Sequence, residues 1–217
     1  MGAGRSSLVL SPLYAIIDVQ LCDARGIDPR ALVDALLGGG ARLLQLRDKT
    51  ASSAARLALA EDLVSRAHAA GAQLIVNDRA DVARLSGADG VHVGQDDLTV
   101  AGARATAGAD AIVGVSTHDE AQVDAALLTD ATYIAVGPIY GTVTKDTGYT
   151  ARGLELIRYA ASHGRPVVAI GVITLARFAD VLAAGAASAA VISDLLEGDD
   201  PAARVRAYLK TARQGHV

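Results

Sequence analysis

With 217 residues, 51% hydrophobic content and a formal charge of -4, the chain can bury a full core and falls in the size range of one α/β barrel domain. The mild acidity, the absence of tryptophan and the lone phenylalanine, Phe178, exclude a basic groove or an aromatic stacking platform for nucleic acid, and no lysine-rich run faces a membrane surface. A single cysteine, Cys22, excludes an internal disulfide; with no secretory leader pattern and no apolar run of about 18 residues, the expectation is a cytoplasmic protein with small-molecule partners, no nucleic acid and no membrane, and a homo-oligomer is left open.

In chain order, short apolar runs at 13–17, 43–46, 73–76, 90–93, 111–115, 133–136, 167–170 and 189–192 have strand length. Segments with helix-spaced apolar residues follow at 28–39, 51–70, 79–86, 98–107, 118–129, 152–163, 174–184 and 200–213. Asp28, Ser116, Thr174 and Asp199 or Asp200 suit helix starts, and Gly71, Gly108, Gly164 and Gly185 suit helix stops. The strand runs are continuously apolar rather than alternating, which predicts a parallel sheet covered by helices. Eight such units predict a single (β/α)8 TIM barrel spanning 1–217, with frayed tails over 1–11 and 212–217. A doubly wound open sheet is the alternative, weakened by the lack of a GxGxxG turn after the first strand.

Barrel sites form where strands end. Here strand two runs into Gln45, Arg47 and Lys49, strand three into Asn77 and Asp78, strand four into Gln95, Asp96 and Asp97, and strand five into Ser116 and His118. Strand six leads to a loop carrying Thr142, Thr144 and Lys145, strand seven to Gly171, and strand eight to Ser193 and Asp194. Any one of these residues is readily explained as a loop or cap residue, but their joint placement at one mouth is not. The chain has three lysines against seventeen arginines, and two of the three, Lys49 and Lys145, stand in these words. A lysine kept in such a place suits phosphate binding or Schiff-base chemistry. Asp78 and Asp97 are hard oxygen ligands suited to one Mg²⁺ that keeps waters and meets phosphate oxygens. With Arg47, Lys49 and Lys145 they make a leaving-group site for pyrophosphate, while the Thr-x-Thr pair and the amides after strands seven and eight make a second anion site.

Six ordered motifs then carry a resemblance over Leu13 to about Leu196. They are Gln-Leu-Arg-Asp-Lys at 45–49, Val-Asn-Asp-Arg-Ala-Asp at 76–81, Gly-Ala-Asp-Gly-Val-His-Val-Gly-Gln-Asp-Asp-Leu at 87–98, Gly-Val-Ser-Thr-His at 114–118, Gly-Pro-Ile-Tyr with Thr-Val-Thr-Lys at 137–145, and Val-Ile-Ser at 191–193. This set resembles the thiamine phosphate synthase family. The resemblance implies a (β/α)8 transferase of thiamine biosynthesis that joins hydroxymethylpyrimidine diphosphate to a thiazole phosphate and releases pyrophosphate with Mg²⁺. Position by position it implies that Gln45, Arg47, Lys49, Asn77, Ser116 and Lys145 contact the pyrimidine diphosphate and that Asp78 and Asp97 hold the metal. Thr142, Thr144, Gly171, Val172, Ile192 and Ser193 match the thiazole phosphate site, and Arg47, Lys49, Lys145 and Ser116 are the residues expected to carry turnover.

One position departs from the family pattern. Where the family reads Gly-Gly-Ile after strand seven, this chain reads Gly171-Val172-Ile173. The amide remains, and the expectation is a small local shift of the loop with activity kept; a φ above zero at 172 raises the cost, because β-branched residues avoid that region. Two runners-up stay open: a thiazole tautomerase-like barrel using a histidine near His118, and a non-catalytic phosphate-ligand binding homologue. An aldolase-like Schiff base on Lys49 or Lys145 is disfavoured by the polar surroundings.

Overall fold

The structure is a computed structural model that describes residues 8, 10–141 and 151–214. Eight strands, β1 (Leu13–Asp18), β2 (Leu43–Arg47), β3 (Gln73–Asn77), β4 (Gly90–Val93), β5 (Ile112–Thr117), β6 (Tyr133–Val136), β7 (Val167–Ile170) and β8 (Ser188–Val191), pair in sequence order. All neighbours are parallel, and β1 pairs with β8 through Leu13, Tyr14 and Ala15 against Ala189, Ala190 and Val191, which closes the barrel. The expected TIM barrel is therefore the observed fold, and the open-sheet alternative falls with that last pairing.

The helices α2 (Pro29–Gly39), α3 (Ser53–Ala69), α4 (Ala80–Ser86), α5 (Val100–Ala107), α6 (Glu120–Leu127), α7 (Gly153–Ala161), α8 (Leu175–Ala183) and α9 (Pro201–Gln214) stand where the periodicity places them. Their starts have side-chain causes. Asp28 accepts from the Arg30 amide to open α2, and Ser52 accepts from the Ala55 amide to open α3. A further helix, α1 (Val19–Arg25), was not expected from the sequence; Asp18 caps it and Gly26 ends it in the left-handed region. Cys22 is its only buried residue, so it carries no periodic apolar face. A 3-10 turn, Ser193–Leu196, follows β8.

Three sequence expectations are corrected. Ser116 is not a helix cap, because β5 runs on to Thr117 and Asp119 caps α6 instead by accepting from the Gln122 amide. Thr174 precedes α8 without a side-chain cap bond; the buried Asp194 carboxylate accepts from the Leu175 amide in its place. Of the tails expected to fray, residues 212–214 are instead helical in α9, which packs across α2 and buries Ala212, and Leu8 and Leu10 pack against the barrel interior, while 1–7, 9 and 215–217 lie outside the described residues.

Two apolar layers result. The larger lies between strands and helices, around Leu36, Leu63, Ile134, Phe178 and Val205. The smaller fills the barrel itself with Tyr14, Ile16, Leu43, Ile75, Ile112, Tyr133, Ala135, Val168 and Ala190. Strand side chains alternate between these layers with period two, so residues two apart along a strand climb the barrel interior toward its C-terminal mouth. Thus Leu43, Gln45 and Arg47 form one inward column, and Ile112, Gly114 and Ser116 another.

Candidate active site

Above the apolar filling, the inward columns end in a cavity of about 370 Å³ at the C-terminal ends of the strands, within the range of ligand pockets. Of the residues expected at the site, Gln45, Arg47, Lys49, Asn77, Asp78, Asp97, Ser116 and Ile192 line it. Gly171, Val172 and Ser193 do not; they sit just past β7 and β8, which are hydrogen-bonded neighbours. Thr142, Thr144 and Lys145 lie outside the described residues.

Arg47 is braced. Asp18, 4% exposed, forms an ion pair with the Arg47 guanidinium across the β1–β2 pairing, where the two residues are register partners. The same carboxylate accepts from the Leu21 amide, so one buried side chain both starts α1 and holds Arg47 over the mouth. Asp48, also buried, accepts from the amides of Thr50 and Ala51 and from Gln20, which sets the loop carrying Lys49. The Lys49 ammonium lies 3.8 Å from the Asp78 carboxylate.

Asp78 takes φ 63, a left-handed conformation that aspartate tolerates, and its amide donates to the His92 carbonyl at 2.7 Å. Burial pushes its carboxyl up to about 6, and the neighbouring Asp97 pushes in the same direction against the opposing pull of Lys49 and Arg47. Asp97 is oriented by the Gly94 amide at 2.8 Å. Among the described residues no group of three or more His, Cys, Asp or Glu side chains gathers as a metal cage. Two neighbouring carboxylates, only partly offset by Lys49 and Arg47, nevertheless form a donor set suited to Mg²⁺, which keeps several waters and takes only one or two carboxylates.

The floor of the cavity holds Tyr14 and Tyr133, which the sequence reading passed over, and His92, which it reads as a histidine packed inside the barrel. Tyr14 and Tyr133 are buried, with hydroxyls 3.1 Å apart, and His92 reaches Tyr133 with Nδ1 at 2.9 Å and Ser116 with Nε2 at 2.8 Å. Burial lowers the His92 imidazole to about 4 and raises both phenols, so all three are neutral near pH 7. The sequence offered one signal for them: each stands two or four residues before a mouth residue on a strand, as Tyr14 does before Ile16 and Asp18. His118, the residue of the tautomerase alternative, also lines the cavity, with Nδ1 2.6 Å from the Gly137 carbonyl.

At the β7 end, Gly171 takes φ 114, and a Cβ there would stand 2.6 Å from the Pro138 Cα. Only glycine fits, and its carbonyl accepts from the Tyr140 amide at 3.2 Å. Val172 takes φ 47 and is 44% exposed, so the costlier of the two outcomes weighed for this position is the observed one. Its carbonyl accepts from Arg177, whose guanidinium stacks 4.4 Å over the Tyr140 ring.

A closed (β/α)8 barrel with cations, facing carboxylates and a hydroxyl converging on the C-terminal mouth defines the class, a barrel enzyme acting on a small anionic substrate. The family model for thiamine monophosphate synthase matches residues 13–195, and the chain belongs to that family. It is a transferase of thiamine biosynthesis. The chain is 43% identical over 195 residues to the thiamine-phosphate synthase of Chloroflexus aurantiacus, covering 89% of each. It is also 43% identical over 211 residues to that of a Mycobacterium species (strain JLS), covering 91% of this chain and 93% of the relative. Among solved structures, the thiamine phosphate pyrophosphorylase from Pyrococcus furiosus superposes with a TM-score of 0.85 at 28% identity, over 94% of this chain and 96% of that one. In the described residues, no helix is long and apolar enough to cross a membrane.

Proposed function

We propose that the mouth joins hydroxymethylpyrimidine diphosphate to a thiazole phosphate, forming thiamine phosphate and releasing pyrophosphate. The observation that carries this reading is the grouping of Arg47 and Lys49 with the Asp78 and Asp97 pair at one side of the cavity, a cationic and metal-suited corner for a diphosphate. The C–O bond to the diphosphate breaks with its electron pair leaving on pyrophosphate, and the thiazole nitrogen lone pair closes the C–N bond at the same carbon. Arg47, held by Asp18, and Lys49 offset the charge that builds on the departing oxygens, and Ser116 adds a hydroxyl contact. Asp78 and Asp97 would hold Mg²⁺, which when bound supplies further charge neutralisation of the leaving group. Lys145 would complete the diphosphate site, and Thr142, Thr144, Ile192, Ser193 and the amides of Gly171 and Val172 would hold the thiazole phosphate.

The apolar wall of Ala135, Val168, Ile170, Ala190 and Ile192 excludes water from the face where a cationic carbon would form. The test is an assay of the purified chain with Mg²⁺, the pyrimidine diphosphate and the thiazole phosphate, with product oxidised to fluorescent thiochrome. Product requiring all three additions is the expected result. No product from folded protein that still binds the diphosphate would overturn the reading in favour of a binding protein or a tautomerase acting through His118.

A further inference from the structure

Five polar groups of the cavity floor form one unbranched hydrogen-bonded line across the barrel, from β2 to β5. Gln45 Nε2 lies 2.9 Å from the Tyr14 hydroxyl, Tyr14 lies 3.1 Å from Tyr133, Tyr133 lies 2.9 Å from His92 Nδ1, and His92 Nε2 lies 2.8 Å from Ser116 Oγ. The line is built, not incidental. Gly114, the register partner of Tyr133, leaves room for the phenol, since a Cβ there would stand 2.1 Å from its Cζ. The His92 and Tyr133 rings lie nearly parallel, and Tyr14 meets Tyr133 edge-on.

Proton counting makes every link of the line run in the same direction. Each phenol has one proton and the neutral imidazole has one. When the Gln45 amide nitrogen donates to Tyr14, Tyr14 donates to Tyr133 and Tyr133 to His92 Nδ1. The imidazole proton then sits on Nε2 and occupies the Ser116 oxygen, so the Ser116 proton turns into the cavity. Turning the Gln45 amide over reverses every link and makes Ser116 donate to His92 instead. Both ends of the line, Gln45 and Ser116, line the cavity.

We propose that Tyr14, Tyr133 and His92 are positioning residues that couple the two ends of the substrate, so that a ring N–H donor accepted by the Gln45 amide oxygen commits the Ser116 hydroxyl to donate to a phosphate oxygen. The proposal rests on the diphosphate reading of the mouth and extends it to specificity. A ring that presents an acceptor to Gln45 turns the amide over and withdraws the Ser116 proton from the anion, so it is rejected at two places at once.

The first readout is nitrogen NMR of the intact chain labelled at histidine with the pyrimidine diphosphate bound, where the ring N–H sets the Gln45 amide. His92 is expected as the Nε2–H tautomer, and the Nδ1–H tautomer would overturn the proposal. The second is binding of inorganic pyrophosphate with Mg²⁺. Tyr133→Phe is expected to weaken it about fivefold, below the full worth of a hydrogen bond to a charged group, and to have no further effect in a Ser116→Ala background. An unchanged affinity, or the same loss with and without Ser116, would refute the coupling. Tyr14→Phe breaks the line one link earlier and serves where Tyr133→Phe does not melt cooperatively. Neither readout needs turnover, so absence of thiamine phosphate from the wild-type chain would count against the synthase reading separately.

Discussion

The two halves of the mouth are built differently. On the β2 to β5 side the cavity is lined by side chains that are charged or polar and individually braced: Arg47 by Asp18, the Lys49 loop by Asp48, Asp97 by the Gly94 amide and Ser116 by His92. On the β6 to β8 side the lining among the described residues is Ala135, Val168, Ile170, Ala190 and Ile192, and the backbone amides of Gly171 and Val172 lie beyond the end of β7. An anion held by side chains tolerates little change of residue type, whereas one held by amides depends on backbone shape. Val172, a β-branched residue at φ 47, stands on the half that depends on backbone shape, so it is the position at which this chain tests that dependence.

The comparison is tested most severely at Arg47. Arg47→Ala is expected to lower kcat/KM for the pyrimidine diphosphate by about a hundredfold to a thousandfold, the range for removing one preorganised charge-stabilising donor; a loss under threefold in the thiochrome assay would remove the leaving-group role. Asp18→Asn keeps the shape but frees the guanidinium, and a fall of about tenfold in kcat with little change in KM for the thiazole phosphate is expected. Equal losses toward both substrates would show that the two halves are not independent.

A smaller effect sits on the carboxylate pair. Because the folded protein holds the Asp78 proton up to about 6, above the unfolded value near 4, it binds more protons than the unfolded chain between those values. Stability in the absence of Mg²⁺ is therefore expected to fall as pH rises from about 4 to 6, by about 1 to 2 kcal/mol after allowance for solvent screening, and Asp78→Asn is expected to flatten that slope. Urea melts across this range read it directly; a slope that Asp78→Asn leaves intact belongs to another group. The mildest change is on the other side. Val172→Gly removes a β-branched residue from φ 47 and is expected to stabilise the fold by about 1 kcal/mol or less, since glycine returns part of the gain as unfolded-state entropy. It is also expected to lower the KM for the thiazole phosphate while leaving that for the diphosphate unchanged, and the reverse pattern would move Val172 out of the thiazole half.

Much of this was legible before any coordinates. Strand-length apolar runs separated by helix-spaced segments are local signals, and the residues after β2, β3 and β4 announced themselves because polar words interrupt an apolar chain. The site was less legible where a residue's role depends on what lies across the barrel. Ser116 read equally well as a helix cap until β5 proved two residues longer, and His92 read as a packed interior histidine, which it is, without its link to Ser116. The sequence assigns no role to Asp18 or Asp194, because their partners, Arg47 for one and Arg204 with Tyr208 for the other, are supplied by other elements.

By itself the sequence determined the barrel, the family and the positions at which chemistry gathers, because period, turn residues and strand-end polarity are properties of neighbours along the chain. The pairing of strands around the barrel decided the rest. It set Tyr14 against Tyr133, 119 residues apart, brought Asp18 under Arg47 and drove Asp78 toward Asp97. It also put Val172 into a conformation that no local preference of valine selects. Those outcomes follow from strands meeting around a ring, where residues distant in sequence share one buried layer and must satisfy each other's charges and protons.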